Sequence, residues 1–113
     1  MNQYFFDNID LEQRCTAYIS LKAIQHNFNL IAQTVAPAKV IAVIKANAYG
    51  HGAVAVAQAL SGKAVLFAVA TFGEALQLRE ANIREPILIL GHVHPSLAAQ
   101  IALHDFVVRL IFV

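Results

Sequence analysis

Short, uninterrupted apolar runs alternate along this 113-residue chain with segments of helical character. The runs occupy 40–45, 65–70, 87–90 and 106–113. Strands that are apolar on both faces are typical of a parallel sheet covered by helices. When helices of about 8–14 residues separate such strands, the pattern indicates successive βαβ units. The chain is therefore predicted to have an α/β fold.

The segments before and between these runs have their own periodicity. Apolar and polar residues alternate over 17–21, which predicts a strand with one buried face. Apolar residues at helical spacing, or helical composition, predict helices at about 22–35, 53–60, 71–81 and 95–104. Thr71 and Glu74 have the spacing of a capping box, which marks the beginning of the third of these helices.

Two closures of the predicted sheet are compatible with this pattern. The sheet could be doubly wound, or it could be the first arc of a (β/α)₈ barrel, which needs about 250 residues. The fourth apolar run reaches the last residue, Val113, and natural domains rarely leave a bare apolar strand at an edge. We therefore expect the chain to be a fragment of a larger protein.

Composition excludes several classes of protein. Hydrophobic residues make up 58% of the chain, but the longest apolar run inside it, Ala64–Ala70, is too short to span a bilayer. Asp7 and Asp10 without any neighbouring basic residue do not resemble an export signal. The formal net charge is +1 with scattered lysines and arginines, which argues against nucleic acid. Cys15 has no partner for an internal disulfide, so a cytoplasmic location is expected.

Lys45 stands at the end of the first buried run. Ligands gather beyond the carboxyl ends of strands in parallel α/β sheets, and a lysine amine placed there can condense with an aldehyde. By position alone, however, a strand-end lysine that simply reaches solvent is the commoner case. The residues that come after Lys45 favour the lysine that reacts with an aldehyde over the lysine that only reaches solvent.

The run Ala42-Val-Ile-Lys-Ala-Asn-Ala-Tyr-Gly-His-Gly52 resembles the cofactor-binding signature of the alanine racemase family over its whole length. Further similarities occur in the same order along the chain, at 18–27, 68–79 and 86–91. The resemblance extends over roughly residues 17–91. The basic amino-acid decarboxylases of the same barrel class also place a strand-end lysine in a Lys-Ala-Asn context, but the continuation Tyr49-Gly-His-Gly52 favours the racemases.

The resemblance implies a fold and a partner. Racemases of this family have an N-terminal (β/α)₈ barrel that binds pyridoxal 5'-phosphate and a C-terminal β domain, and they act as homodimers. By this resemblance, residues 1–16 are an N-terminal lead-in and residues 17–113 an incomplete barrel, cut after about four barrel strands. The C-terminal β domain is expected to lie outside this chain.

Site residues are implied by the same resemblance. Lys45 matches the lysine that forms a Schiff base with the cofactor and acts as one of the two bases exchanging the α-proton. Tyr49 matches a tyrosine near the cofactor phosphate, although a tyrosine that only caps the barrel end is the alternative. Val43, Leu88 and Leu90 match positions that line the cofactor ring.

The other polar residues of these loops are expected to be structural. Gly50 and Gly52 would permit a tight turn after the strand, and His51 would bond to a neighbouring carbonyl. His92 and His94 do not make a metal site, because zinc needs three or four ligands. We expect no metal.

The implied reaction is the interconversion of L- and D-alanine, with alanine as the small-molecule substrate and D-alanine supply for the cell wall as one role. The second acid–base group is expected beyond Val113, so the isolated chain should be inactive. Three alternatives stay open: a pyridoxal-phosphate-dependent decarboxylase of basic amino acids, a non-enzymatic carrier of the cofactor, and an inert product of a broken gene.

Overall fold

A computed structural model describes residues 15–109 of the chain. The predicted lead-in as far as residue 14, and residues 110–113 of the fourth apolar run, lie outside the described residues. Within the described part, no helix is both long enough and apolar enough to cross a membrane.

Helices and parallel strands alternate along these residues as predicted. The helical segments are α1 (Leu21–Val35), α2 (Lys45–Tyr49), α3 (Ala53–Leu60), α4 (Phe72–Glu80) and α5 (Ala98–Leu103), and a 3₁₀ turn, Pro95–Leu97, precedes α5. All are right-handed except α2, whose residues 46–49 have left-handed backbone. The strands are β1 (Ile41–Val43), β2 (Leu66–Val69), β3 (Ile87–Ile89) and β4 (Phe106–Val108). The predicted helices are confirmed to within one or two residues when the 3₁₀ turn is counted with α5. β1 and β2 occupy the middle of their runs, and β3 and β4 occupy the beginning of theirs. The short helix α2 was not predicted.

The sheet has the simplest possible topology. Its strands lie in the order β1-β2-β3-β4, and every neighbouring pair is parallel. A doubly wound sheet reverses its strand order at a switch point, whereas the strands of a (β/α)₈ barrel are arranged in sequence order. Over the described residues the order is sequential throughout. The structure therefore favours the barrel arc over the doubly wound sheet.

The core lies between the sheet and its helices. Ala42, Phe67, Ile87 and Phe106 stand in register across the four strands and share one face. Phe67 and Ile87 are completely buried there, and all four residues belong to, or pack against, the apolar cluster that the helices complete. Burial of side chains of this size contributes about 1.5–3 kcal/mol each, so this layer supplies much of the stability of the arc.

The opposite face of the sheet is apolar but open. Ile41, Val43 and Val107 on this face are all more than 40% exposed. The sequence predicted strands that are apolar on both sides, and this prediction is confirmed.

One predicted strand is absent. Residues 15–20 form no helix or strand, and Leu21, the last residue of the predicted strand, is already the first residue of α1. The reason is local: the Ser20 side chain accepts a hydrogen bond from the backbone N–H of Ala23, which makes Ser20 the N-cap of α1. Tyr18 and Ile19 are exposed, so the alternation in 17–21 does not reflect a buried strand face in this structure.

Arg79 at the end of α4 fastens the amino-terminal side of the sheet. Its Nε donates to the carbonyl O of His104 at 2.9 Å, and Nη1 donates to the carbonyl O atoms of Ile83 and Glu85, each at 2.8 Å. The guanidinium carbon also lies 5.5 Å from the centre of the Phe106 ring. A planar guanidinium can donate to several acceptors at once. Here its hydrogen bonds connect α4 with the segments that come directly before β3 and β4.

We predict that Arg79→Lys lowers the free energy of unfolding by about 2 kcal/mol, because an ammonium keeps the charge but cannot reach the same carbonyls, and hydrogen bonds from charged groups contribute about 1.5–3 kcal/mol. Urea unfolding of the full-length gene product measures this change. Arg84→Lys is the matched control, since the Arg84 side chain is exposed, and should change stability by less than about 0.5 kcal/mol. Equal effects of the two substitutions would contradict the assignment.

Candidate active site at the carboxyl end of the first strand

Lys45 lies just past the end of the edge strand β1. Ile44, between the strand and Lys45, is buried at 4% exposure, and its N–H donates to the carbonyl O of Ala68 at 2.9 Å. Lys45 itself is half-buried. Among residues 15–109, its amine has no hydrogen-bond or ion-pair partner. The backbone before Lys45 is thus fixed by the sheet.

The chain turns in an unusual direction immediately after Lys45. Ala46, Asn47, Ala48 and Tyr49 all have positive φ angles, between 50° and 55°. These values belong to the left-handed helical region, which costs an L-residue about 1–2 kcal/mol. We call residues 46–49 the left-handed turn. A run of four such residues requires strong support from the surrounding structure.

Hydrogen bonds inside the loop supply part of this support. The Asn47 side-chain oxygen accepts from the N–H of Ala53, the first residue of α3, at 2.9 Å, and the Asn47 carbonyl O accepts from Gly52 N–H at 2.9 Å. Gly50 and Gly52 have φ angles of 90° and 91°, which only glycine adopts readily. The two glycines therefore form a tight turn after the strand, as the sequence predicted.

His51 has the structural role that was expected of it. Its Nδ1 lies 2.9 Å from the carbonyl O of Ala48, and its backbone N–H donates to the same oxygen at 3.0 Å. A carbonyl can only accept, so Nδ1 carries the proton. Ala48 is buried at 5% exposure, and the left-handed turn is thus anchored in the core on one side and bonded to His51 on the other.

Glu74 joins the left-handed turn to the next strand. One carboxylate oxygen, Oε1, accepts from the N–H of Ala46 at 2.9 Å. The other, Oε2, accepts from Ala70 N–H at 2.6 Å and Thr71 N–H at 3.2 Å. The predicted capping box is confirmed, because the Thr71 hydroxyl in turn accepts from Glu74 N–H. The contact with Ala46, 28 residues away in sequence, was not predicted.

The residues expected to line the cofactor lie on the open face of the sheet. Val43, Ala68, Leu88 and Val107 are in register across the four strands, on the face opposite the helices. Leu90 is half-buried just after β3, and its N–H donates to the carbonyl O of Val69 at 2.8 Å. The structure thus brings Val43 and Leu88 into a single apolar row, with Leu90 at the same carboxyl edge as Lys45.

Tyr49 ends the left-handed turn, and its side chain is 61% exposed. His94 is the N-cap of the 3₁₀ turn before α5, since its Nδ1 accepts from Ser96 N–H at 3.2 Å and lies 2.8 Å from the Ser96 hydroxyl. Within residues 15–109, no three His, Cys, Asp or Glu side chains are grouped as metal ligands.

Two features of this edge escaped prediction from the sequence. Asn47 is of a type that tolerates left-handed backbone as a single residue, but alanine on either side of it gives no signal for a run of such residues. Gly91 is the second feature. Its N–H donates to the carbonyl O of Ala70 at 2.9 Å, and a Cβ added to Gly91 would overlap that oxygen. A glycine directly after a predicted strand was the available signal for this close approach.

Comparison with known proteins agrees with the geometry. The sequence model of the family described as alanine racemase, N-terminal domain, matches residues 19–110. The chain belongs to the alanine racemase N-terminal domain family. It is 53% identical over 91 residues to the alanine racemase of Pseudomonas fluorescens, a match that covers 80% of this chain and 25% of that enzyme. The chain thus spans about a quarter of the length of the curated alanine racemases that it matches.

Solved alanine racemase structures have the same fold over this stretch. The enzyme from E. faecalis superposes with a TM-score of 0.75 at 40% identity, covering 80% of this chain and 25% of its own. The enzyme from Bartonella henselae, whose structure is described as having covalently bound pyridoxal phosphate, superposes with a TM-score of 0.73 at 35% identity, covering 80% of this chain and 27% of its own. The described residues are therefore the first part of the (β/α)₈ barrel of an alanine racemase-family protein.

We predict that Ala46→Gly raises the free energy of unfolding by about 0.5 kcal/mol. Relief of left-handed strain, about 1–2 kcal/mol, should outweigh the greater entropy that glycine gives the unfolded chain, about 0.4–1 kcal/mol. Ala46→Val should destabilise the protein instead, because a β-branched residue fits a positive φ worst. Thermal unfolding of the full-length gene product compares the two variants.

The control for this prediction is Ala99→Gly, at an exposed position within α5. In a right-handed helix the same substitution costs about 1 kcal/mol. A loss of stability in Ala46→Gly as large as that in Ala99→Gly would show that residue 46 is not left-handed.

Proposed function

We propose that this chain is the front part of the barrel of a pyridoxal-phosphate-dependent alanine racemase, and that the whole protein interconverts L- and D-alanine. The observation that carries the proposal is the position of Lys45, a half-buried residue at the carboxyl edge of the sheet. Its support is the family match over residues 19–110 and the identity of about one residue in two to curated alanine racemases.

The residues around Lys45 fit the proposed cofactor. A primary amine without a partner among the described residues is the group that an aldehyde requires. The row of Val43, Ala68 and Leu88 offers an apolar surface beside it, which suits one face of a flat aromatic ring. Tyr49 exposes a hydroxyl four residues after Lys45, and such a hydroxyl can donate to a phosphate oxygen. Lys45 and Tyr49 would thus hold opposite ends of the cofactor.

When bound, pyridoxal phosphate supplies an electron sink that makes the α-hydrogen of an amino acid acidic. The protein's own residues would do the rest. Lys45 Nζ would carry the cofactor and, when released from it, accept or return the α-proton on one face of the substrate. The apolar side chains Val43, Leu88 and Leu90 would keep water away from the ring. Positioned proton transfer of this kind contributes about 10²–10⁴-fold to a rate.

The proposal includes a cellular location and an oligomeric state. As the resemblance implies, the enzyme would work in the cytoplasm as a homodimer, with alanine as its substrate. Its role would be either supply of D-alanine for the cell wall or catabolism of D-alanine. The exposed apolar face of Ile41, Val43 and Val107 supports the part of the proposal that concerns the barrel, since further strands of a barrel would cover it.

The decarboxylases remain the nearest rival, because they share a strand-end lysine. The relatives at about 50% identity, from Pseudomonas and Xanthomonas species, carry the name alanine racemase, which favours racemisation. Release of carbon dioxide from lysine, ornithine or diaminopimelate, without racemisation of alanine, would reverse that choice.

We predict that Lys45→Ala abolishes both racemisation and covalent attachment of the cofactor. Borohydride reduction of the full-length gene product, after incubation with pyridoxal phosphate, should fix the cofactor to the peptide that contains Lys45. Racemisation is measured from the optical rotation of L-alanine. The loss should exceed about 10³-fold, since the residue acts both as tether and as base.

Lys39→Ala is the matched control, because Lys39 is an exposed lysine that precedes β1, at the opposite, amino edge of the sheet. This variant should retain cofactor and activity. If borohydride labels another lysine, or if Lys45→Ala still racemises alanine, the proposed function is wrong.

We predict that Tyr49→Phe weakens cofactor binding by about tenfold, which is the effect of losing one hydrogen bond to a charged group. Titration of the apoprotein with pyridoxal phosphate measures the Kd. The phosphate-free analogue pyridoxal is the control ligand, and its affinity should be the same in Tyr49→Phe and in the wild type. An equal loss for both ligands would place the Tyr49 hydroxyl elsewhere than at the phosphate.

A further inference from the structure

Glu74 makes more hydrogen bonds than a helix cap requires. In a capping box, the glutamate needs only the N–H of the N-cap residue, here Thr71. The same carboxylate also accepts from Ala70 N–H at 2.6 Å and, through its other oxygen, from Ala46 N–H at 2.9 Å. The additional contacts connect the end of β2 with the residue directly after Lys45.

The contact with Ala46 falls at a sensitive point of the chain. Ala46 is the first residue of the left-handed turn, with φ of 50°, and its N–H belongs to the peptide bond that Lys45 forms with it. A hydrogen bond to this N–H restricts rotation about the Lys45 backbone on its carboxyl side. Ile44 N–H, bonded to the carbonyl O of Ala68, restricts the chain on the other side.

Both restraints lead to the same neighbouring strand. Ala68 is part of β2, and Ala70 comes directly after the end of β2. The Glu74 carboxylate is itself held in place, because its Oε2 accepts from the backbone N–H groups of Ala70 and Thr71 and because a negative charge is stabilised at the amino end of α4. β2 and the beginning of α4 therefore provide the frame against which the Lys45 peptide is oriented.

We propose that Glu74 is the positioning residue for Lys45: its carboxylate bridges Ala46 N–H and the end of β2, and so holds the left-handed turn that presents the Lys45 amine. This role rests on the proposed function as far as the cofactor is concerned. The bridge itself is a property of the protein without cofactor, and it can be tested in that state.

Glu74→Gln is the sharpest variant, because it keeps the shape of the side chain and removes one acceptor. The amide oxygen can accept from Ala46 or from Ala70 and Thr71, but the amide nitrogen must then face the remaining N–H. Glu74→Asp is the second variant, because it keeps the charge but is one methylene too short to span both sides. Thr71→Val is the matched control: it removes the hydroxyl cap of the same helix and leaves the Glu74 carboxylate in place.

The first measurement is hydrogen–deuterium exchange of the Ala46 amide in the full-length gene product without cofactor. We expect Glu74→Gln and Glu74→Asp to accelerate exchange at Ala46 by about tenfold or more, as for a lost hydrogen bond to a charged acceptor. Thr71→Val should leave exchange at Ala46 within about twofold of the wild type, although it lowers the unfolding temperature as a lost cap does. Unchanged exchange at Ala46 in both Glu74→Gln and Glu74→Asp would overturn the proposal.

The second measurement uses the protein loaded with pyridoxal phosphate. Glu74→Gln should lower kcat for alanine by about tenfold, with KM changed less than about twofold, because Lys45 is misdirected while the substrate pocket is intact. Thr71→Val should leave kcat unchanged. If wild-type protein carries no cofactor on Lys45, the proposed function is wrong, and the exchange at Ala46 still decides the bridge. If wild type is loaded and Glu74→Gln has full kcat, the positioning role is wrong and the function stands.

Discussion

Four consecutive residues with positive φ, Ala46 to Tyr49, come directly after Lys45, and left-handed backbone costs L-residues about 1–2 kcal/mol each. Such a turn persists only where its surroundings over-determine it. Here burial of Ala48, the Asn47 side chain on the first N–H of α3, and the Glu74 carboxylate on Ala46 N–H all act on it. The direction of Lys45 is set by this combination, and the candidate site depends on that direction.

The sheet gives this turn its rigid base. Strands in sequential, parallel order carry their carboxyl ends to one edge, and there the loop after β1, the beginning of α4 and the segment after β3 meet. The close approach of Gly91 to the carbonyl of Ala70 joins the second and third of these segments as Glu74 joins the first and second. The strained residues 46–49 are thus held by segments that are themselves connected to one another by hydrogen bonds.

Features that depend on periodicity could be predicted from the sequence, whereas non-local geometry could not. Apolar runs located the strands, helical spacing located the helices, and the lysine motif located the candidate site. The strand predicted at 17–21 was wrong. An alternation of apolar and polar residues predicts a strand only where a partner strand can pair with it, and here Ser20 caps a helix instead. Asn47 tolerates left-handed backbone, but Ala46 and Ala48 give no signal for a run of it, and the contact between Ala46 and Glu74 joins residues 28 apart, so neither feature was predicted.

A crystal structure of the full-length gene product grown with pyridoxal phosphate tests the role of Lys45 most directly. We expect electron density that is continuous from Lys45 Nζ to the cofactor, above the row of Val43, Ala68 and Leu88. Positive φ at residues 46–49 and a Glu74 carboxylate within hydrogen-bond distance of Ala46 N–H should accompany it. A cofactor attached to another lysine, or a right-handed turn after Lys45, would contradict this role.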